Sequence, residues 1–143
     1  MEKGEINFFS ENEFVLKDVN KYREWIEDVI LSENKYIGDI NYIFCDDQYL
    51  HEINLKYLSH DTYTDIISFD NTVGNTLQGD IFISTERVAE NAASFNVDFE
   101  EELKRVIIHG VLHFCGYSDK NERDSALMRR KEEEKIKLFH VEQ

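Results

Sequence analysis

The chain contains no proline and only six glycines among its 143 residues. Proline and glycine are the residues that most often mark turns and linkers, and the sequence also has no repeats and no low-complexity segment. The composition therefore gives no sign of an internal domain boundary. Since this length is ordinary for one domain, we expect a single domain over residues 1–143.

Cysteine is also scarce, because the chain has only Cys45 and Cys115, far apart in sequence. The start of the chain has no signal-peptide pattern, so neither secretion nor a disulfide framework is expected. No apolar run approaches the roughly 20 residues that are needed to span a bilayer. These absences predict a cytoplasmic protein with no membrane partner.

Positive charge is in short supply, with 16 Lys and Arg against 30 Asp and Glu and a formal net charge of −14. This balance opposes broad electrostatic attraction to nucleic acid or to an anionic membrane. Any RNA partner would therefore need a local basic patch. Residues 104–137 offer one, since they hold nine basic and six acidic residues.

Hydrophobic residues make up 41% of the composition, which is enough to build a core. Alternating or β-branched runs predict about four strands, and apolar residues at helical spacing predict helices between and after them. The predicted strands are INFFS, with FVLKD as a weaker candidate, YIGDINYIFC, TDIISFD and GDIFIS, the last two joined by a loop, NTVGNTLQ. The predicted helices cover residues 18–33, 47–58, 84–95, 98–116 and 121–139. We expect an α+β sandwich with a small, mixed four-stranded sheet flanked by helices.

Several helix ends have residues typical of caps. Asp18 is a candidate N-cap, Asp98 with Glu101 fits a capping box, and Gly116 suits a C-terminal stop. The last helix is charged on all sides in its middle, RRKEEEK. We therefore expect it to project, or to pack only at its ends.

Two histidines lie four residues apart in the stretch HGVLHFCGYSDK, residues 109–120. On a helix, His109 and His113 lie one turn apart and can bind one metal ion. The pair alone is equally compatible with packing or surface histidines. After a turn at Gly116, Asp119 can supply a third ligand and leave an open position, which is the pattern of a catalytic metal site.

This stretch resembles the signature of the YbeY-type endoribonucleases, also described as rRNA maturation factors, which reads HGxLHxxGYDH. The family's third histidine falls on Asp119 and its aspartate on Ser118. Since a carboxylate also binds metal, we still expect Asp119 to be the third ligand. The positions that match are His109, Gly110, Leu112, His113, Gly116 and Tyr117.

A second stretch, NLKYLSHDTYTDIISFD at residues 54–70, is similar to the family's NxxYRxxDxPTDVLSF, and GDIFIS matches as well. Leu58 replaces an arginine that the family is thought to use to hold or cleave RNA, and Tyr63 replaces a proline. Both regions occur in the family's order. The matching positions are Asn54, Tyr57, Asp61, Thr64, Asp65, Ser68 and Phe69.

The resemblance implies a function as well as a sandwich fold. It implies a metal-dependent endoribonuclease specific for single-stranded RNA that acts in rRNA processing, at the 3′ end of 16S rRNA, and in ribosome quality control. The implied partners are rRNA and the ribosome or its small-subunit proteins. The implied cofactor is one Zn²⁺ held by His109, His113 and Asp119, with no organic cofactor. Two histidines and a carboxylate also suit Fe²⁺ or Ni²⁺, so these ions are alternatives.

Several other residues are weaker candidates for the site. His60 could reach the substrate or lie in solvent, Asp65 could orient a ligand histidine or cap a turn, and Arg105 and Lys120 could contact phosphate or be solvated. Cys115 could bind zinc. A lone cysteine on an apolar helix end is more often part of the core, and Cys45 is interpreted in the same way. His51 and His140 are predicted to be surface residues.

Two other functions are alternatives. A peptidase-like zinc hydrolase is disfavoured because Gly110 stands where HExxH enzymes have their glutamate base. A non-catalytic ribosome-associated module, braced by its metal, is favoured by Leu58 and by the acidic net charge. Assays with RNA and with unfolded protein would separate these functions.

A carboxylate ligand in place of a neutral imidazole lowers the charge of a divalent site from +2 to +1, which weakens the metal as a Lewis acid. We therefore predict that the wild type has a more alkaline pH optimum for RNA cleavage than an Asp119→His variant. The measurement is the pH–rate profile of both proteins with the same RNA. Identical profiles would contradict this prediction.

Overall fold

A computed structural model describes residues 3–140 of the chain. The strands are β1 (Ile6–Ser10), β2 (Tyr36–Cys45), β3 (Ile66–Asp70) and β4 (Thr76–Ser84). The helices are α1 (Val19–Ser32), α2 (Asp47–Leu58), α3 (Thr85–Phe95), α4 (Phe99–Phe114) and α5 (Glu122–Ile136), followed by a 3₁₀ turn (Lys137–His140). Within this part of the chain, no helix is both long and apolar enough to cross a bilayer.

The strands form one mixed sheet in the order β1-β2-β4-β3. β1, β2 and β4 run parallel, and β3 pairs with β4 in the antiparallel direction. The predicted α+β fold with a four-stranded mixed sheet is confirmed. The loop between β3 and β4 is shorter than predicted, because β4 already begins at Thr76 and pairs there with Tyr36 of β2.

The larger core lies between the sheet and helices α1 and α4. Alternate residues of β2 point toward it, so Ile40, Tyr42 and Phe44 are buried. The buried hydroxyl of Tyr42 donates a hydrogen bond to the carbonyl of Ile107 in α4, with an O···O distance of 2.8 Å. Burial of each large aliphatic side chain contributes about 1.5–3 kcal/mol, so this layer fixes α4 firmly on the sheet.

A smaller core lies on the opposite face, where α2 packs on β3 and β4 through Leu50 and Ile67. The buried amide of Asn54 in α2 donates to the carbonyl of Thr62, at 2.8 Å. This bond holds the loop between α2 and β3 against the helix. The loop leads directly to Asp65, so α2 helps to position that carboxylate.

Two predicted caps differ in the structure. Asp18 precedes α1 in a left-handed conformation (φ 58°), and its side chain makes no capping hydrogen bond. Asp98 also makes none, although it lies at the N-cap of α4. Acidic residues in the first turn of α4, beginning with Glu100, interact favourably with the positive end of the helix dipole. They stabilise the start of the helix without a side-chain cap. FVLKD is not a strand, and only Leu16 of that segment is buried.

The prediction that α5 packs only at its ends is wrong. Met128, Glu132 and Lys135 are buried along one side of the helix, facing the rest of the protein. The two charged side chains can be buried because both have partners. In addition, the indole of Trp25 in α1 donates to the carbonyl of Lys135, at 2.7 Å.

Glu33, just after α1, joins three parts of the chain. Its carboxylate lies 2.9 Å from Nζ of Lys135 and 3.4 Å from Nζ of Lys131, and it accepts a hydrogen bond from the hydroxyl of Tyr117 at 2.7 Å. Burial would raise the pKa of Glu33, but the hydrogen bonds from Lys135 and Tyr117 and the charges of both lysines outweigh it and lower that pKa. The folded state therefore favours the ionised carboxylate.

A lowered pKa in the folded state means that Glu33 stabilises the fold above the ordinary glutamate pKa, and that this contribution is lost as the pH falls through the folded-state pKa. We predict that Glu33→Gln lowers the free energy of unfolding by about 2 kcal/mol at pH 7. The difference from wild type should shrink as the pH falls below 4.5, the ordinary value. Denaturant titrations at several pH values measure it. Glu24→Gln, at an exposed position of α1, is the matched control. A difference that does not change with pH would contradict the assigned cause.

Candidate metal centre

The C-terminal half of α4 places His109 and His113 on one face. Their Nε2 atoms are 2.9 Å apart, and the two rings are nearly perpendicular, with an interplanar angle of 83°. This is the arrangement that the four-residue spacing predicts. Both rings direct the same nitrogen toward one point.

Asp119 completes the group from the loop after α4. The chain turns at Gly116, which has a φ of +108°, a conformation that glycine adopts at little cost. Oδ2 of Asp119 then lies 3.3 Å from Nε2 of His109 and 3.6 Å from Nε2 of His113. All three ligand atoms lie within 4.8 Å of one another, so a single ion could bridge them.

The second nitrogen of each ring has a partner that can only accept a hydrogen bond. Nδ1 of His113 lies 2.9 Å from the carbonyl oxygen of Tyr117, and Nδ1 of His109 lies 2.5 Å from Oε2 of Glu132. Each Nδ1 must therefore carry the proton. In the neutral rings, two Nε2 lone pairs then face each other and the carboxylate of Asp119, an arrangement that favours a cation between them.

The sequence did not lead us to predict Glu132 as part of the site, because the middle of α5 is charged on all sides. A signal was present, because Met128, Glu132 and Lys135 are separated by four and three residues, the spacing of one helix face. That stripe contains only one apolar residue, so hydrophobic periodicity alone did not reveal it. The structure buries Glu132 to 2% exposure beside His109.

Arg105 lies one turn before His109, as predicted, and its guanidinium is engaged in ion pairs. Nη2 is 2.5 Å from Oε2 of the buried Glu102, Nη1 is 3.3 Å from Oε1 of Glu132, and Nη2 is 3.9 Å from Oδ2 of Asp65. These carboxylates, first of all the hydrogen bond with Glu102, raise the pKa of Arg105 further above its ordinary value. Arg105 is therefore a fixed positive charge at the site.

Asp65 enters the site from the start of β3. Its Oδ2 accepts a hydrogen bond from the amide of Asn91 at 3.4 Å and lies near Arg105. Burial raises the pKa of Asp65, and this effect outweighs the lowering by the charges of Arg105 and His109. The carboxylate that contacts Nδ1 of His109 is that of Glu132 and not that of Asp65.

These groups surround a cavity of about 350 Å³. Its walls come from β3 and the residues before it, from α4 and from the loop after α4. The lining residues are Thr64, Asp65, Ile66, Ser68, Arg105, Val106, His109, His113 and Asp119. The size is at the lower end of pockets that bind small molecules or parts of a larger ligand.

Gly110 lies on the other side of α4, against the sheet. A Cβ atom at this position would lie 2.9 Å from Cδ1 of Ile81 and 3.3 Å from Cδ1 of Ile66. A glutamate there would point into the core and away from the cavity. The close packing of helix on sheet therefore explains the glycine and removes the general base that a HExxH peptidase needs.

Other predicted candidates lie outside this cavity. His60 and Lys120 are exposed, and Leu58, also exposed, ends α2. His51 is less exposed than predicted, since its side chain is 13% exposed, pairs with Asp61 at 2.9 Å and stacks on the ring of Tyr63. The side chain of His140 is not among those that the structure describes.

The charges around the histidines fit a cation. Three buried or half-buried carboxylates, Asp65, Glu102 and Glu132, surround the single guanidinium of Arg105, and Asp119 adds a fourth. Ionised, these groups leave an excess of negative charge beside two nitrogen donors. Two histidines and a carboxylate are a donor set that zinc accepts. The cavity and the donor set together are typical of a hydrolase with a possible metal-binding group.

Comparisons with known proteins identify the family. The family described as Endoribonuclease YbeY matches residues 6–140 of this chain. Two proteins named Endoribonuclease YbeY are similar to it: one from Christiangramia forsetii is 78% identical over 100% of both chains, and one from Flavobacterium johnsoniae is 63% identical over 96% of this chain and 99% of its own. A solution structure of a Thermotoga maritima protein has a TM-score of 0.67 at 28% identity and covers 94% of this chain and 88% of that one. The chain therefore belongs to the YbeY endoribonuclease family, as the resemblance indicated, and the predicted class of enzyme is confirmed.

The two cysteines lie apart from the group of three ligand atoms. Burial raises the pKa of both Cys45 and Cys115 to about 12. Their thiols are therefore protonated at neutral pH in the metal-free protein. This agrees with the interpretation of both residues as core cysteines.

We predict that both thiols react with a disulfide reagent at pH 8 about 100-fold or more slowly in the folded protein than in denaturant, because little thiolate is present. The measurement is the rate of thiol modification with and without guanidinium chloride. A Cys45→Ser variant assigns the rate of Cys115 separately. A fast reaction of Cys115 that zinc suppresses would instead make it a ligand.

Proposed function

We propose that this protein cleaves RNA with the help of one divalent metal ion held by Nε2 of His109, Nε2 of His113 and the carboxylate of Asp119. One observation carries the proposal. The two Nε2 atoms and Oδ2 of Asp119 face one another at 2.9–3.6 Å, while both Nδ1 atoms are committed as donors elsewhere. A metal held by these residues would supply a Lewis acid for a phosphoryl oxygen and would lower the pKa of a bound water toward neutrality.

The protein groups around the ligands have separate roles in this proposal. Arg105 lies in the wall of the cavity and compensates part of the charge of Glu102 and Glu132, which occupy its donors. Attraction of the phosphate therefore falls mainly to the metal ion. Asp65 faces the cavity as a half-buried carboxylate whose raised pKa suits a group that exchanges a proton with the substrate. His60 stays a weaker candidate, since it lies outside the cavity.

The cavity favours a flexible substrate. A volume of about 350 Å³ receives a small part of an RNA chain, and a single strand can bend to place one phosphate inside it. A rigid duplex presents its phosphates on a broad surface and cannot bend in the same way. We therefore propose single-stranded RNA as the substrate, cleaved internally.

The biological setting is proposed from the family. The substrate is rRNA, at the 3′ end of 16S rRNA, with a further role in ribosome quality control and with the ribosome or small-subunit proteins as partners. The whole chain acts as one domain in the cytoplasm. The metal is Zn²⁺ in this proposal, with Ni²⁺ and Fe²⁺ as alternatives that suit the same ligands.

The first experiment measures metal per chain by elemental mass spectrometry after purification without chelator. We expect close to one equivalent in wild type and a clear loss in Asp119→Ala, because that substitution removes one of three ligands. Glu122→Ala, an exposed carboxylate at the start of α5, is the matched control and should keep its metal. Full metal in Asp119→Ala would remove Asp119 from the site, and no metal in wild type would contradict the metal centre.

The same proteins are then incubated with single-stranded RNA, with duplex RNA and with an unfolded protein. Cleavage of single-stranded RNA alone supports the proposed function. A His109→Ala, His113→Ala double variant should have none, and cleavage that persists in it would come from a contaminant. If only the unfolded protein is cut, the peptidase alternative replaces the proposal. If nothing is cut, the non-catalytic alternative does.

A further inference from the structure

Glu132 is a buried acidic side chain in contact with a candidate metal ligand, and both of its oxygens have partners. Oε2 lies 2.5 Å from Nδ1 of His109, and Oε1 lies 3.3 Å from Nη1 of Arg105 and 3.7 Å from Nε of the more exposed Arg129. We infer that Glu132 is the positioning residue for His109, a role that rests on the proposed metal centre. It fixes the tautomer and direction of the ring so that Nε2 faces the metal.

The hydrogen bond between Glu132 and His109 is itself of a strong type. A carboxylate accepts from N–H more strongly than a neutral oxygen does, and it polarises the N–H bond so that electron density in the imidazole ring increases. The bond holds the proton on Nδ1 of His109 and makes Nε2 a more basic ligand. Carboxylates in this position behind metal-bound histidines orient the ring and raise metal affinity.

The two histidines differ in what holds them. The partner of His113 is a backbone carbonyl, that of Tyr117, which no side-chain substitution removes. The partner of His109 is a side chain on α5, 23 residues further along the chain. The orientation of His109 therefore depends on one replaceable group, and this makes the inference testable.

Glu132 is itself held rigidly. α5 buries Met128 and Lys135 on either side of it, one helical turn away in each direction. Arg105 lies between Oε1 of Glu132 and the buried carboxylate of Glu102, so the guanidinium compensates charges that would be costly to bury unpaired. The network leaves the carboxylate little freedom to move away from His109.

A purely structural role is the alternative. In that case Glu132 would only neutralise Arg105, and its loss would lower stability without changing the ring of His109. Metal affinity and the tautomer of His109 distinguish the two roles. The tautomer can be measured in metal-free protein, so this part of the test does not depend on the metal or on catalysis.

The experiment compares wild type with Glu132→Gln and Glu132→Leu. Glu133→Gln, at the exposed next position of α5, is the matched control. Two-bond ¹H–¹⁵N correlations of the histidine rings in metal-free protein, at about pH 8.5 where histidine is ordinarily neutral, report which nitrogen carries the proton. Competition with a chromophoric chelator gives the affinity for Zn²⁺.

We expect Nδ1–H on His109 in wild type and in Glu133→Gln, and a shift toward Nε2–H in Glu132→Leu. Zinc affinity should fall about 10- to 100-fold in Glu132→Leu. Glu132→Gln should fall less, because its amide oxygen still accepts from Nδ1. Should Glu132→Leu not fold, a loss of zinc affinity in Glu132→Gln that Glu133→Gln does not share still supports the inference.

An unchanged tautomer of His109 and an unchanged zinc affinity, with lowered thermal stability alone, would overturn the inference. Glu132 would then only neutralise the charge of Arg105. Wild type that binds no zinc would instead contradict the proposed function. The tautomer of His109 in the three variants would then decide the role of Glu132 by itself. The two failures are thus distinguishable.

Discussion

The burial of α4 between the sheet and α5 is the constraint on which the rest of this structure depends. One side of the helix must be small or apolar enough to pack on β3 and β4, and Gly110 is where the approach is closest. The other side must then hold every polar group of the site. His109, His113 and Arg105 share that side, and α5 and the loop after α4 supply the groups that satisfy them. Core and site are two sides of the same helix.

Much of the fold could be predicted from the sequence because its signals are local. Alternation in β2 and helical spacing in α2 depend only on neighbouring residues, and both elements lie where the patterns indicated. The caps at Asp18 and Asp98 were predicted from residue type, whereas capping depends on backbone geometry that type does not determine. The packing of α5 was predicted wrongly for a related reason. The buried Lys135 pairs with Glu33, which lies about 100 residues earlier in the chain, and a local pattern does not reveal such a partner.

The candidate site divides in the same way. The helical spacing brings His109 and His113 together without any knowledge of the fold. Asp119 depends on a turn at Gly116, which its residue type allowed us to predict, and on the chemistry of a carboxylate as a third ligand. Glu132 required both the position of α5 and the burial of a charge, and neither follows from composition or periodicity. What escapes the sequence is therefore the set of long-range polar contacts behind the ligands.

Tyr117 links the candidate metal site to distant parts of the fold. Its carbonyl faces the ring of His113, and its hydroxyl is anchored to Glu33 at the end of α1. The partner of His109 comes from α5, which is docked on Trp25 of α1. Loop-closure entropy opposes the contacts among them that join distant parts of the chain, so these contacts depend on the complete fold. An ion that binds only the completed site would therefore stabilise the docking of α1, α5 and the loop after α4 together.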